Sequence, residues 1–188
     1  GMVYYTSPDR SALLEQLQSQ TIKEICDADW KDLTIERLPE IPDFTLLVGW
    51  TGQVAITDSL IQATEKKRKV STDSEFYKDF LKKSHAIVQV LQSAWNEQDI
   101  PALQEGVRAN RALLNEFAKV MQLEIETPAL QTLCDLAEQV GACAKTSGAG
   151  GGDCGICFTQ NETQKQQIEN QWAKAQIQVL PLTIAEAW

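Results

Sequence analysis

The sequence has 188 residues, 43% of them hydrophobic, and a formal net charge of −9 with an isoelectric point near 4.7. This length and apolar content suffice for one hydrophobic core, so we expect one main domain. The acidic balance excludes proteins that bind nucleic acids or anionic membranes through a basic face, although local donors can still bind small anions. No apolar run approaches the ~20 residues of a membrane span, and no signal peptide opens the chain, so a cytoplasmic protein is expected.

The N-terminal part of the chain predicts short elements rather than a core. Val3–Thr6 is expected to be the end of a strand whose partners are missing. Ser7 as the cap and Pro8 in the first helical position predict a helix directly after it. Residues 34–38 predict a second short strand, which ends before a proline.

The middle of the chain predicts one buried strand followed by three helices. Residues 44–50 form an apolar run that predicts a strand buried on both faces. The apolar residues of each helix share one face; they are Phe76, Phe80, Ile87, Val90, Leu91 and Trp95 in the first, Leu103, Val107, Leu114, Phe117, Val120 and Met121 in the second, and Leu130, Leu133, Leu136 and Val140 in the third. Such stripes predict a core. His85, in the first helix, is expected to be a helix-surface or partly buried residue rather than a catalytic base. Thr127 is expected to cap the third helix.

The C-terminal part predicts a hairpin, a helix and a last strand. Residues 142–147 and 154–158 are expected to pair as antiparallel strands, followed by a helix at 162–175 and a strand at 177–183. Together with the strand at 44–50, this order is that of the split β-α-β, or ferredoxin-like, fold. The predicted fold class is therefore α+β, a sandwich with an antiparallel sheet and extra helices in the first crossover.

The strongest chemical signal is the segment 145–155, in which five of the eight residues from 148 onward are glycine. Such a backbone can approach a ligand closely, and its consecutive N–H groups can form an anion site. Ser147 adds a hydroxyl and Lys145 a cation. The segment does not match a P-loop, because Asp153 and a cysteine follow the glycines, nor does it fit the dinucleotide-binding fingerprint well. A flexible surface loop or hairpin turn is the alternative.

The five cysteines show no paired metal spacing. Cys154 and Cys157 form a CxxC pattern, but both lie on a predicted strand, where residues three apart point to opposite faces. We therefore expect buried thiols rather than a redox pair or a zinc site.

Three segments, in the same order along the chain, resemble the GHMP kinase family. They are LVGWTG at 47–52, NRALL at 110–114 leading to IET at 125–127, and SGAGGGDCG at 147–155, which is similar to the family's third conserved motif. The resemblance covers roughly residues 34 to 188. It implies that 41–188 is the C-terminal domain of a GHMP kinase and that 1–40 is a connecting segment from an N-terminal kinase half.

Within the family, these segments are most similar to the enzymes that act on phosphomevalonate. The resemblance implies transfer of the γ-phosphoryl group of ATP to 5-phosphomevalonate in the mevalonate pathway of isoprenoid biosynthesis. It also implies a requirement for Mg²⁺, for which the sequence assigns no ligand. The main ATP-binding motif and the catalytic aspartate are expected in the N-terminal half. We therefore assign no catalytic residue here and expect these 188 residues alone to fold but not to transfer phosphate.

The resemblance also implies which residues bind the ligands. Phosphate and ATP contacts are expected from the Ser147 hydroxyl and from the backbone N–H groups of Gly148, Ala149, Gly150, Gly151 and Gly152. The candidate substrate-binding residues are Lys145, Thr51, Gly52, Gln53, Asn110 and Arg111. A surface lysine at 145 and a helix-surface ion pair at 111 are the alternatives. Gly150→Val is expected to abolish turnover and to leave the domain folded.

Two alternatives for the function stay open. Gln53 and Ile56 stand where the resembled enzymes carry serines, which permits another substrate of the family, mevalonate or another small alcohol. A non-catalytic ferredoxin-like module that binds a small anionic metabolite or another protein is the second alternative. The basic run at 66–69 is expected to be solvated, with a mobile phosphate-binding flap as the other interpretation.

Overall fold

The computed structural model of this chain describes residues 1–52, 75–148 and 150–185. The chain divides into two compact units, Gly1–Glu40 with the chain end from Ile184, and Ile41–Thr183. In chain order, the elements are β1 (Val3–Thr6), α1 (Arg10–Gln16), α2 (Ile22–Cys26), β2 (Thr34–Arg37), β3 (Thr45–Trp50), α3 (Glu75–Glu97), α4 (Ile100–Met121), α5 (Pro128–Gln139), β4 (Cys143–Thr146), β5 (Cys154–Thr159), α6 (Glu162–Lys174) and β6 (Gln178–Leu180). None of the helices described is both long and apolar enough to cross a membrane.

In the first unit, β1 and β2 form an antiparallel two-stranded sheet in which Tyr5 lies opposite Ile35. The prediction that the partners of β1 are missing is therefore wrong; its partner lies far along the chain, and no local pattern reveals such a pairing. Helix α1 also begins later than predicted. Asp9, rather than Ser7, is its N-cap, because the Asp9 carboxylate accepts hydrogen bonds from the first free N–H groups of the helix.

In the second unit, four strands form one sheet in the order β4-β5-β3-β6, with every neighbouring pair antiparallel. This order is the one that a split β-α-β unit produces, so the predicted fold class is confirmed. The prediction that β3 is buried on both faces holds for only one face. Leu47 and Gly49 are buried, whereas their neighbours Leu46 and Val48 are only half-buried, so one face of the strand is covered more tightly than the other.

A glycine on each of two paired strands lets helices α5 and α6 lie close to the sheet. Gly49 of β3 is opposite Gly155 of β5. A Cβ atom at Gly155 would lie 2.6 Å from a methyl carbon of Leu133, and one at Gly49 would lie 2.8 Å from both Leu133 and the Trp172 ring. Leu133 and Trp172 are fully buried, and the Trp172 indole N–H donates to the Leu133 carbonyl at 3.0 Å. The core of the unit is therefore centred on this glycine pair.

Helices α3 and α4 pack along each other and form a second apolar cluster. The rings of Phe80 and Phe117 have centroids 4.3 Å apart, and Ile125 packs in the same cluster. The apolar faces predicted for these two helices include residues outside the core, because Val90 and Val120 are each 53% exposed. The cluster fixes the end of α4, which is where the candidate site begins.

Candidate functional site

Residues 147–153 join β4 to β5, and we call them the glycine loop. The Ser147 N–H donates to the Cys154 carbonyl at 2.9 Å and closes the base of the loop. Its described glycines, Gly148, Gly150, Gly151 and Gly152, have φ values from 62° to 124°. These φ values suit glycine and strain other residues, which explains why the run contains so few side chains.

The glycine loop packs against residues 122–127, which we call the α4–α5 connection. The Gly151 N–H donates to the Ile125 carbonyl oxygen at 2.8 Å. A Cβ atom at Gly150 would lie only 2.4 Å from the same oxygen. The expectation that Gly150→Val leaves the fold intact is therefore wrong on geometric grounds, because no side chain fits at this position without displacing backbone.

Three N–H groups of the loop, those of Gly148, Gly150 and Gly152, have no hydrogen-bond acceptor in the part of the chain that the structure describes. Gly150 and Gly152 are buried, where an unpaired N–H is costly, and Gly148 is exposed with open space around it. The Gly151 N–H, by contrast, is already bonded to Ile125. The loop therefore offers the donors that a phosphate group needs, but Gly151 joins them only if its present bond opens.

Thr51, at the end of β3, supports the second half of the loop. Its N–H donates to the Asp153 carbonyl at 3.0 Å, and its hydroxyl lies within hydrogen-bonding distance of the Gly152 and Asp153 carbonyls. The next residue, Gly52, is exposed and has a φ of 79°. The structure thus brings Thr51 beside the glycine loop, with Gly52 next to it in the chain, and the role of both in substrate binding stays a prediction.

Lys145 lies on β4, one residue before the end of that strand. Its side chain is half-buried, and its ammonium group donates to the Thr146 carbonyl at 2.8 Å. Burial lowers the pKa of Lys145, and the Cys134 thiol acts in the opposite direction. Lys145 is therefore not the freely exposed lysine of the alternative interpretation. Substrate binding by it stays a prediction and requires the ammonium group to leave this carbonyl.

Arg111, on α4, forms ion pairs with two carboxylates. Its guanidinium binds both oxygens of Glu126, at 2.8 Å and 2.6 Å, and one oxygen of Asp135 at 2.8 Å. The hydrogen bond to Glu126 is the main cause of a raised Arg111 pKa, and the side chain is 17% exposed. Asn110 beside it is half-buried. Direct phosphate binding by either residue stays a prediction, and the Arg111 charge is already matched by two carboxylates.

The sequence analysis placed Glu126 in the IET segment of the family resemblance but gave it no role, and it did not single out Asn115. The Glu126 side chain is 8% exposed and also accepts a hydrogen bond from the Asn115 amide at 3.2 Å. It follows Ile125, which binds the glycine loop, and precedes Thr127, which caps α5 as predicted. Apart from that resemblance, the sequence shows one acidic residue between an apolar residue and a helix cap, a pattern that equally describes an exposed turn.

Some of the predicted residues lie outside the described part of the chain, and the described part identifies no ligand for Mg²⁺. Gln53, Ile56, Ala149 and the basic run at 66–69 lie outside the described residues. Within 1–52, 75–148 and 150–185, no three metal-binding side chains come together. Asp153 is exposed, and its carboxylate lies 3.7 Å from the Cys154 sulfur. The Mg²⁺ requirement therefore stays a prediction without an assigned ligand.

The histidine and the cysteines show no sign of a catalytic role. His85 is exposed on α3, as predicted. All five cysteines are free thiols, and Cys157 is buried while Cys154 is half-buried. Burial raises the pKa of Cys134 to about 12 and that of Cys143 to about 11, and it raises the pKa of Cys157 as well. Thiols in this state are poor nucleophiles, which agrees with the structural role predicted for the buried cysteines. The prediction of a buried thiol is wrong for Cys26, which is exposed.

The chain is similar to a known family model and to a curated kinase. Residues 87–178 match the family model described as GHMP kinases C terminal. The chain is 34% identical, over 187 residues, to a phosphomevalonate kinase from Streptomyces sp. (strain CL190). That match covers 98% of this chain and 50% of the relative, so the chain spans about half the length of the curated relative.

Two solved structures share the fold over nearly the whole chain. A Lin0012 protein from Listeria innocua superposes with a TM-score of 0.89 at 32% identity, covering 95% of this chain and 50% of that chain. The phosphomevalonate kinase of Streptococcus pneumoniae, solved in complex with phosphomevalonate and AMPPNP, superposes with a TM-score of 0.80 at 28% identity and has the same coverage.

Proposed function

This chain belongs to the GHMP kinase family and contains its C-terminal domain, and from this premise we propose that the whole protein is a phosphomevalonate kinase. It transfers the γ-phosphoryl group of ATP to the phosphate of 5-phosphomevalonate. One phosphorus–oxygen bond of ATP breaks, one forms to a phosphate oxygen of the substrate, and ADP leaves. The proposal rests on similarity to relatives that are about twice as long as this chain.

The structural observation that carries the proposal is a set of donors in the glycine loop that have no acceptor among the described residues. The N–H groups of Gly148, Gly150 and Gly152 lack backbone acceptors among the described residues, and the Ser147 hydroxyl is beside them in the chain. Phosphoryl transfer depends mainly on positioning and on charge stabilisation, and backbone donors fixed by surrounding structure supply both. We assign the phosphates of the reacting pair to these donors and retain Ala149 as a predicted donor.

The proposed contacts with the substrate come from the segment that follows β3. Thr51 lies beside the loop, and Gly52 and Gln53 follow it in the chain, so this segment is the candidate to contact phosphomevalonate. Lys145 and Arg111 are already engaged by protein groups. We therefore favour the segment 51–53 over these two cations as the direct substrate contact.

ATP and Mg²⁺ complete the proposal. The S. pneumoniae relative was solved with AMPPNP, which supports ATP as the phosphoryl donor here, and the loop donors fit its phosphates. Mg²⁺ is proposed from the chemistry, since divalent cations neutralise the phosphate charges in such reactions. The half of the relatives that this chain does not span is proposed to supply the remaining nucleotide contacts and the catalytic aspartate. We place the reaction in the cytoplasm.

An ADP-release assay on the whole protein tests the function. It compares 5-phosphomevalonate with mevalonate at equal concentrations, with and without Mg²⁺. We expect Mg²⁺-dependent turnover with a strong preference for phosphomevalonate. Preference for mevalonate would contradict the substrate assignment and leave the family intact.

A matched pair of variants links the assay to the loop. Ser147→Ala removes one proposed phosphate donor and is expected to lower kcat/KM by about tenfold to a hundredfold. Ser84→Ala, on α3 and away from the loop, is the control and is expected to have no effect. The 188 residues alone are expected to show no turnover. Turnover by this chain alone would contradict the proposal that essential groups lie in the other half.

A further inference from the structure

Two arginines of α4 form ion pairs with acidic residues that follow them, yet only one pair touches the support of the glycine loop. Arg108 pairs with Glu138 of α5 at 2.8 Å and also donates to the Ala142 carbonyl. Arg111 pairs with Glu126, in the α4–α5 connection, through both guanidinium arms. The two pairs have similar chemistry on neighbouring turns of one helix, so their different locations provide a natural internal control.

Unlike the Arg108 pair, the Arg111–Glu126 pair holds a backbone segment, and Arg111 additionally binds Asp135 of α5. Glu126 is nearly buried and accepts hydrogen bonds from Arg111 and Asn115, so its carboxylate is fixed from two turns of α4. On one side of it, Ile125 packs in the apolar cluster with Phe117. On the other side, Thr127 caps α5. With its residues anchored in three different ways, the connection has little freedom to move.

One backbone group of this fixed segment contacts the loop. The Ile125 carbonyl oxygen accepts the Gly151 N–H, and the Cα of Gly150 lies against it so closely that a Cβ atom would come within 2.4 Å. The conformation of the loop at Gly150 and Gly151 is thus determined by where the Ile125 carbonyl lies. That position depends on Glu126, the next residue along the chain.

We propose that Arg111, Asn115 and Glu126 form a positioning cluster that fixes the Ile125 carbonyl and thereby holds the glycine loop in its donor-presenting conformation. Glu126 and Arg111 act through Ile125 and do not touch the ligand. The inference rests on the proposed function only for the identity of the ligand as a phosphate group. The mechanical link itself follows from the contacts. It also gives Arg111 a role in place of the direct phosphate contact that the sequence suggested.

Amide hydrogen exchange on the ¹⁵N-labelled 188-residue chain tests the proposal without any need for activity. Glu126→Gln removes the charge that Arg111 binds and keeps the size of the side chain. Arg111→Lys keeps the positive charge but loses the two-armed contact, and it serves as the second variant if Glu126→Gln does not fold. Glu138→Gln removes the matched Arg108 pair and is the control.

We expect Glu126→Gln and Arg111→Lys to speed exchange of the Gly151 amide at least about tenfold, while the buried amides of α5 around Leu133 keep their protection. Glu138→Gln should leave Gly151 unchanged. A Gly151 exchange rate equal to that of the unmodified chain in both variants would overturn the proposal. So would an equal loss of protection at Gly151 and in α5, because the cluster would then act on overall stability alone. None of these outcomes depends on whether the protein phosphorylates phosphomevalonate.

Discussion

The second unit uses glycine in two regions for two different purposes. At the centre of the sheet, Gly49 and Gly155 make room for Leu133 and Trp172, so that side chains fill the space that a Cβ would take. In the loop, the space beside Gly150 is filled by the backbone of Ile125, and the space beside Gly148 is open. A glycine-rich sequence therefore does not reveal its role by itself. What occupies the place of the missing side chain decides whether a glycine serves packing, backbone support or ligand access.

The largest loss of stability is expected from a substitution that uncovers the glycine pair of the sheet. Leu133→Ala removes the side chain that both glycines contact and leaves a cavity in a region with no exposed surface, so we expect a loss of about 3 kcal/mol in the free energy of unfolding. Urea unfolding of the 188-residue chain measures it. Leu182→Ala, at a position that is 56% exposed, is the control and should cost little. Equal losses in the two variants would show that the sheet centre is not the main core.

Gly150→Ala tests backbone support in the loop. The new methyl group would meet the Ile125 carbonyl at 2.4 Å, and the residue would be held at a φ of 76°. We expect a loss of about 2 kcal/mol in stability, accompanied by faster exchange of the Gly151 amide. Unchanged stability would mean that the loop can move away from the α4–α5 connection at little cost.

The buried thiols of the core predict a loss of stability at alkaline pH. Burial raises the pKa of Cys134 to about 12 and that of Cys143 to about 11 from the ordinary 9.0, so the folded chain keeps protons that the unfolded chain releases. Their stabilisation is complete below pH 9.0 and is lost as the pH rises through these values. Each thiol should cost about 1 kcal/mol between about pH 8 and about pH 10. Lys145, whose pKa is lowered by burial, contributes in the opposite direction and offsets part of the loss.

Unfolding free energies measured across this pH range check the prediction. Cys143→Ala should flatten the alkaline slope, whereas Cys26→Ala, at an exposed position, should leave it unchanged. The same slope in both variants would contradict the assignment of the effect to the buried thiols.

Gly148→Ala is expected to have the smallest effect on stability. Its Cβ atom would meet nothing within 4 Å, so only the φ of 62° penalises the change, at a cost of about 1 kcal/mol. Thermal unfolding of Gly148→Ala beside Gly150→Ala measures the difference directly. If Gly148→Ala lowers the unfolding temperature more than Gly150→Ala does, then the proposal that Gly148 faces open space while Gly150 contacts backbone is wrong.

The sequence predicted the parts of the fold that depend on local patterns. The stripe with Leu130 and Leu133 and the cap at Thr127 placed α5 almost to the residue, since the period of a helix and the chemistry of its cap are local properties. The pairing of β1 with β2 could not be found in this way, because it depends on residues far apart in the chain. The exposure of Val90 was missed because a period identifies a face of a helix and not how much of that face a neighbour covers.

The sequence predicted where the candidate site lies in the chain but not the contacts that connect it to other elements. The run from Gly148 to Gly152 predicted an anion-binding loop, with a flexible loop or hairpin turn as the alternative, because consecutive N–H groups of such a backbone can surround an anion. Nothing in that run reveals that the Gly151 N–H is bonded to Ile125, or that Arg111 is bound by Glu126 and Asp135. These contacts join elements separated in sequence, and they change Gly151 from a free donor into a supported one.

Titration of the ¹⁵N-labelled 188-residue chain with inorganic phosphate tests most directly whether the glycine loop is an anion site. We expect the Gly148, Gly150 and Gly152 amides to shift together with one Kd, in the millimolar range that about 4 kcal/mol of binding free energy gives. The Gly151 amide, bonded to Ile125, should shift least among the four. Amides of the loop that stay unmoved at saturating phosphate, or a Gly151 shift larger than the other three, would contradict it.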